Sequence, residues 1–369
     1  LVGYTVMVSV PVLSTALVVK AGFTEGQVGR IWGADLGGFS VGAILSALLV
    51  ARINRHLLVI GGVIITIAAN ILCLTFISFE ELLIFRAVAG IGSGLLTGIA
   101  VATLGGATNP VMAYNFEMFG FAISTALLLH FLPQLTMNEI YILFMILAGL
   151  CALFVRWIPS RPQSIEEREN HVKVVKSDKF WMSPKFLPIL CLVAVCFTYI
   201  NIGGYYTYIE LAALADGVTR EWTTPVLTWS SIFAIVGCVI AYFATRFGLY
   251  RPLYISLILM SASVFMVSMG IGDINIVISL FAFMTLWTFA DVYQSAMVAH
   301  MDRSGSFVAL LPAVQGFGQF LGPNIAASVL DAEYGYGTMF FVSGSMTMIA
   351  LAIYMSVAAL NKKLRPAAV

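Results

Sequence analysis

The chain has 369 residues, 60% of them hydrophobic and only 10% charged, with a mean hydropathy of +0.97. A water-facing domain carries about a quarter charged residues, so a soluble globular fold is excluded and the chain belongs in a bilayer. The formal net charge of +1, with no Lys/Arg stripe to neutralise a run of phosphates, excludes a nucleic-acid partner.

A membrane-crossing helix needs about 20 mostly apolar residues. Cutting the chain at its turn and charge signals predicts twelve such runs, over 1–19, 26–51, 56–77, 80–106, 110–134, 138–157, 185–214, 222–245, 250–270, 274–300, 305–330 and 335–360. None has the short alternating pattern of a β-barrel strand, so the predicted fold is all-α and integral to the membrane. The polar stretch SRPQSIEERENHVKVVKSDKFWMS lies between Pro159 and Pro184, after the sixth run. It divides the chain into an N-terminal six-helix bundle (1–158), a cytoplasmic linker (159–184) and a C-terminal six-helix bundle (185–369).

Sorting the connections alternately puts fifteen of the nineteen Lys/Arg on one side, including Arg52, Arg55, Arg246 and Arg251. Lys20, Arg30 and Arg220 fall on the other side, and Arg86 lies inside a span. The basic side is cytoplasmic, which predicts cytosolic termini and linker, in a bacterial inner membrane. The chain opens at Leu1 with no charged leader, which predicts residues ahead of Leu1 and no cleavable signal peptide. Cys73, Cys151, Cys191, Cys196 and Cys238 sit in apolar runs without CxxC spacing, so buried free thiols are expected and no metal site or disulfide. No HExxH, no Gly-x-Ser-x-Gly elbow and no His/Cys/Asp cluster with ligand spacing occurs, so no catalytic residue and no cofactor is predicted.

The fourth span reads Leu82-Leu-Ile-Phe-Arg86-Ala-Val-Ala89-Gly90, and the loop after the second reads Ala51-Arg52-Ile-Asn54-Arg55-His56. With six plus six spans, these resemble the major facilitator superfamily of secondary transporters. Ala89 replaces the Gln of that family's fourth-span pattern, and Ala51 and Asn54 replace the Asp and Gly of its gating loop. The second half echoes the loop as Thr245-Arg246-Phe-Gly248-Leu-Tyr-Arg251, and Glu117-Met-Phe119-Gly120 lines up with Gln315-Gly316-Phe317-Gly318, as parallel repeats should. Gly318-Gln-Phe-Leu-Gly322-Pro323 resembles the antiporter signature, but in span eleven rather than five. The resemblance implies gating by Arg52, Arg55, Arg246 and Arg251, a cavity lined by spans one, four, seven and ten, and a monomer.

Ionisable groups in hydrocarbon cost ~2.5 kcal/mol or more each, so they face the bundle interior or a wet cavity. Asp35, Arg86, Glu117, His130, Glu210 and Asp291 fall in this class, four carboxylates against one guanidinium, with His130 read as an interface residue. Asp35, Arg86, Glu117 and Asp291 are the proton-coupling candidates; for Asp35 and Arg86 a fixed ion pair is the competing reading, and for Glu117 a structural partner of the gate. Arg86, Gly90, Gly94 and Gly98 share a stripe, as do Gly38, Gly42 and Ser46. Candidate substrate contacts are Tyr199, Asn201, Tyr205, Tyr206 and Glu210 on span seven, Trp229 on eight, Trp287, Asp291 and Gln294 on ten, and Gln315 and Gln319 on eleven. Gly203 and Gly204 offer a break in span seven; the alternative for Tyr205, Tyr206 and Tyr208 is an interfacial belt. The expected function is proton-coupled secondary transport of a small organic solute by alternating access. Symport is placed ahead of proton-antiport export; a membrane-embedded enzyme, sensor or channel is the remote alternative.

Overall fold

The structure, a computed structural model, describes residues 5–49, 53–75, 78–105, 110–158, 185–302, 307 and 310–364, without the side chains of 47, 102, 104, 105, 110–119, 245, 363 and 364. Twelve helices follow in chain order: α1 (Thr5–Ala21), α2 (Glu25–Leu49), α3 (Arg55–Thr75), α4 (Phe79–Gly105), α5 (Pro110–Phe131), α6 (Met137–Leu153), α7 (Phe186–Ala215), α8 (Arg220–Ala244), α9 (Tyr250–Val267), α10 (Asp273–Met301), α11 (Leu311–Asp331) and α12 (Gly335–Leu364). No strand occurs among the described residues. The expected linker, 159–184, lies outside them.

Boundaries follow local chemistry. Thr136 caps α6: its hydroxyl accepts the Glu139 N–H, and the Glu139 carboxylate accepts the Thr136 N–H at 2.7 Å, closing both orphan donors. Gly22 after α1 and Gly217 after α7 both take positive φ, 74° and 89°, the left-handed stop that glycine adopts without a Cβ clash. Several expected bounds shift: α6 ends at Leu153 rather than 157, and α12 runs to Leu364 rather than 360. Span nine ends at Val267 rather than 270, and span eleven, expected from 305, is a described helix only from Leu311.

The two halves pack by one plan. Within the first, α2 packs on α4, α3 on α4 and α6, and α1 on α5; within the second, α8 packs on α10, α9 on α10 and α12, and α7 on α11. Each pair maps onto its counterpart six helices later. Across the halves α2 meets α11, α5 meets α8 and α1 meets α7, a set that the same exchange leaves unchanged. This is the pseudo-symmetry expected of two six-helix bundles.

Among the described residues, seven helices are by length and composition apolar enough to cross a membrane: α3, α4, α7, α8, α9, α10 and α12. Shorter apolar stretches lie in α1, α5 and α6. Helices α2 and α11 pack closely on each other: Gly26, Gly33 and Gly37 of α2 lie against Asp331, Asn324 and Phe320 of α11. Helix α3, by contrast, exposes Leu57, Ile60, Ile64 and Ile71 on one stripe, a surface suited to lipid.

Candidate functional site

Helices α2 and α4 approach so closely that glycine is needed on both. A Cβ on Gly38 or Gly42 would strike the backbone of Ala87 or Ile91, and one on Gly90 or Gly94 that of Asp35 or Phe39. The approach carries Asp35 to Arg86. Arg86 Nε donates to Asp35 Oδ2 at 2.8 Å, Nη2 donates to the same oxygen, and Nη1 donates to Asn70 Oδ1 on α3 at 2.9 Å. Both charged residues are buried, and the rings of Trp32, Tyr141 and Phe144 surround the guanidinium carbon at 5.6, 5.9 and 6.0 Å. The arrangement is a cross-brace tying α2, α3 and α4. Asn70 escaped the sequence reading, although an Asn within an apolar run was a visible signal.

A second close approach builds the other acidic centre. A Cβ on Gly318 would strike Cys196 and Tyr199, and one on Gly203 would strike Gln319, so α7 and α11 run backbone to backbone. Tyr199 and Gln315 are thereby held beside Asp291 on α10, and the Tyr199 hydroxyl and the Gln315 side-chain amide both donate to Asp291 Oδ1 at 2.8 Å. Among the described residues no hydrogen bond reaches Oδ2 and no cation pairs with Asp291; the ion pairs there are Arg30–Asp331, Arg86–Asp35 and Arg220–Glu210. Asp291 is partly exposed.

One turn before it, Trp287 sets its ring against Phe121 of α5 (6.3 Å between centroids), Tyr206 (5.7 Å) and Phe283 (6.2 Å). The centre therefore lies where the halves meet. Gln294, at the next turn, donates to Thr198 at 2.6 Å, and its Oε1 is buried without a partner. Glu117 is one turn before Phe121 on α5; its side chain lies outside the described atoms.

Other candidates are placed elsewhere. Asn201 donates to Thr347 on α12 and Tyr205 pairs with Ser279 on α10, each at 2.8 Å, so both bridge helices inside the second bundle rather than joining Asp291. Trp229 is 62% exposed and lies on a stripe with Trp222, Phe233, Val236 and Ile240, while Ser230 and Ser231 are buried; neighbours along a helix diverge by about 100° and cannot share one polar wall. The expected break at Gly203 and Gly204 is absent: α7 is continuous, and these glycines admit Gln319 of α11 and Ser343 of α12. Gln319 is buried there.

Tyr205, Tyr206 and Tyr208 are all buried and form no interfacial belt. Tyr206 donates to Val8 O on α1 at 3.1 Å and Tyr208 to Glu25 O on α2 at 2.8 Å, both across the halves. Arg30 and Asp331 join the halves at the same end, 2.6 Å apart. Glu210 is fully buried beside Arg220, Nε to Oε1 3.9 Å. At the opposite end Arg52 lies outside the described residues, Arg55 is buried, Arg246 stacks on its neighbour Phe247 (4.8 Å) and Arg251 is exposed. His130 is exposed near the end of α5.

The sequence model of the Major Facilitator Superfamily matches residues 1–323. The chain belongs to that family. This superfamily member is a multi-pass membrane protein and a secondary transporter. No curated protein sequence matches it. Its fold is similar to three solved transporters. The nucleoside transporter NupG is 13% identical, with 96% of each chain covered and a TM-score of 0.69. A bacterial homologue of the human lysosomal transporter Spinster, inward-facing and unoccupied, is 14% identical over 100% of this chain and 96% of that one, with a TM-score of 0.73. The human organic anion transporter MFSD10 (TETRAN) is 13% identical over 96% and 95%, with a TM-score of 0.66.

Proposed function

We propose that this superfamily member carries a small organic solute by alternating access, coupled to protons through Asp291. One observation supports the reading: Asp35 already has a guanidinium, whereas Asp291 is met only by neutral donors, a hydroxyl and an amide. A carboxylate in a low-dielectric site without a counter-charge is the group that gains most from taking up a proton. Glu117 is the second acid of the reading. The Phe121–Trp287 contact sets α5 against α10, so Glu117 and Asp291, one turn beyond it on antiparallel helices, come to one level of the membrane.

Alternating access needs a junction that opens. Arg30–Asp331 and Tyr208 on Glu25 O close the α1–α2 end in this conformation, and their release is the step that exposes the centre to that side. With the basic loops in the cytosol, the closed end is external, the centre faces inward, and the protein works as a monomer in a bacterial inner membrane. The test is purified protein in liposomes with an imposed pH gradient. Gradient-driven solute accumulation is expected, and Asp291→Asn is expected to retain gradient-independent exchange while losing accumulation. Undiminished accumulation by that variant would remove Asp291 from the coupling role.

A further inference from the structure

We infer that Asp291 is also the anchor for the solute, and that the solute is an organic cation, a protonated amine or onium group carrying an aromatic or apolar body. The inference rests on the transport reading above and deepens it by naming the solute class.

The first ground is the distribution of charge. The guanidinium groups paired among the described residues are engaged elsewhere: Arg86 is held by Asp35 and Arg30 by Asp331, and Arg220 lies 3.9 Å from Glu210 without a hydrogen bond to it. Arg55 is buried in the first bundle, at the first residue of α3. No described cation is left beside Asp291 to receive a carboxylate or phosphate. An anion entering there would meet an uncompensated negative charge, and like-charge juxtaposition is strongly disfavoured.

The second ground is the geometry of the carboxylate. Both donors, Tyr199 and Gln315, are spent on Oδ1. They orient the group without neutralising it. Oδ2 has no donor among the described residues, and Asp291 is partly exposed, so this oxygen is the free acceptor. Trp287, one turn away, is buried in a cluster of rings with Phe121, Tyr206 and Phe283. Aromatic rings beside a carboxylate favour a cation twice, through its charge and through the negative ring face.

The third ground is competition. Oδ2 accepts either a proton or a cationic donor, never both. Binding therefore follows the balance RNH3+ + COOH → COO−·RNH3+ + H+, and the transporter exchanges cation for proton. That sets exchange ahead of the symport expected from sequence. The titratable groups around Asp291 are Tyr199 on α7, Cys238 on α8 and Tyr354 on α12, with the Glu117 side chain undescribed on α5; Gln315 on α11 does not titrate.

The experiment uses the purified full chain and three probes of matched shape: benzylamine, benzyl alcohol and benzoate, with tetraphenylphosphonium as a permanent cation. Binding is followed calorimetrically in two buffers of different ionisation enthalpy, which counts protons released. Both cations are expected to bind, more weakly as pH falls, with release of up to one proton each in acid. Asp291→Asn is expected to lose about 30-fold or more in cation affinity and to release no proton. Should that variant not fold, proton release by the wild type still decides. Tyr199→Phe then gives a second reading, because removing a donor to the carboxylate is expected to move proton release to higher pH. Cation binding without pH dependence, or preference for benzoate, would overturn the inference. If no cation binds yet the same liposomes accumulate a neutral or anionic metabolite, the inference falls and the transport reading stands. If no solute of any charge moves, both fall.

Discussion

Arg86 on α4 grips Asp35 on α2 with two nitrogens and reaches Asn70 on α3 with a third, in a pocket closed to solvent. This pair is an internal brace of the first bundle, and it consumes the deep guanidinium that the fourth span supplies. Removing one partner leaves a buried charge uncompensated, which costs about 3–5 kcal/mol. Asp35→Asn and Arg86→Gln are each expected to lower the melting temperature in detergent sharply, and the double variant to recover part of the loss. Additive losses in a double-mutant cycle would contradict the brace.

Close packing of α2 on α4 makes a second prediction. Gly90 has the Asp35 backbone where its Cβ would stand, whereas Gly61 has nothing within 4 Å. Gly90→Ala is expected to separate the helices, weaken the Arg86–Asp35 contact and reduce stability by about 1–3 kcal/mol, while Gly61→Ala leaves it unchanged or slightly raised through helix propensity. Thermal melts of the two proteins side by side decide. Equal melting temperatures would count against the packing.

The pair Arg30 and Asp331 closes one end of the junction between the halves. It is partly exposed, so its loss has little effect on stability, but in the proposed cycle it holds the two bundles in one of the two states. Arg30→Ala is expected to raise labelling of cysteines placed on the facing surfaces of α2 and α11 and to leave the melting temperature within a degree or two. A disulfide between Arg30→Cys and Asp331→Cys is expected to stop transport until reduced. Transport continuing in the oxidised protein would remove this end from the gating cycle.

Tyr208 gives a fourth test. Its hydroxyl donates across the halves to Glu25 O and occupies the space beside Gly29, where no Cβ fits. Tyr208→Phe removes one hydrogen bond worth about 1 kcal/mol and is expected to shift the population toward opening at this end, read as a longer distance between spin labels on α1 and α7. Gly29→Leu, which cannot coexist with the closed junction, is expected to shift it further. A reversed order would show that this tyrosine does not set the balance.

Twelve spans and their order were legible in the sequence, because the bilayer imposes a length and polarity on each helix whatever its neighbours are. The acids and the lone deep arginine were legible for the same reason: charge in hydrocarbon stands out. Glycine spacing on α2 and α4 foretold the contact that joins Asp35 to Arg86.

Partner choice was not legible. Asn201, Tyr205 and Trp229 have the residue types of a polar-aromatic site, yet one faces α12, one faces α10 and one turns outward. Helix α7, which holds Asn201 and Tyr205, is apolar nearly all round and has no amphipathic stripe to record which face meets which neighbour. Nor was it legible that Asp291 receives only neutral donors, since which groups surround an acid depends on which helices touch. Composition and span length are properties of the chain alone; the assignment of each charge to a neighbour belongs to the packing, where contacts between residues far apart in sequence are made.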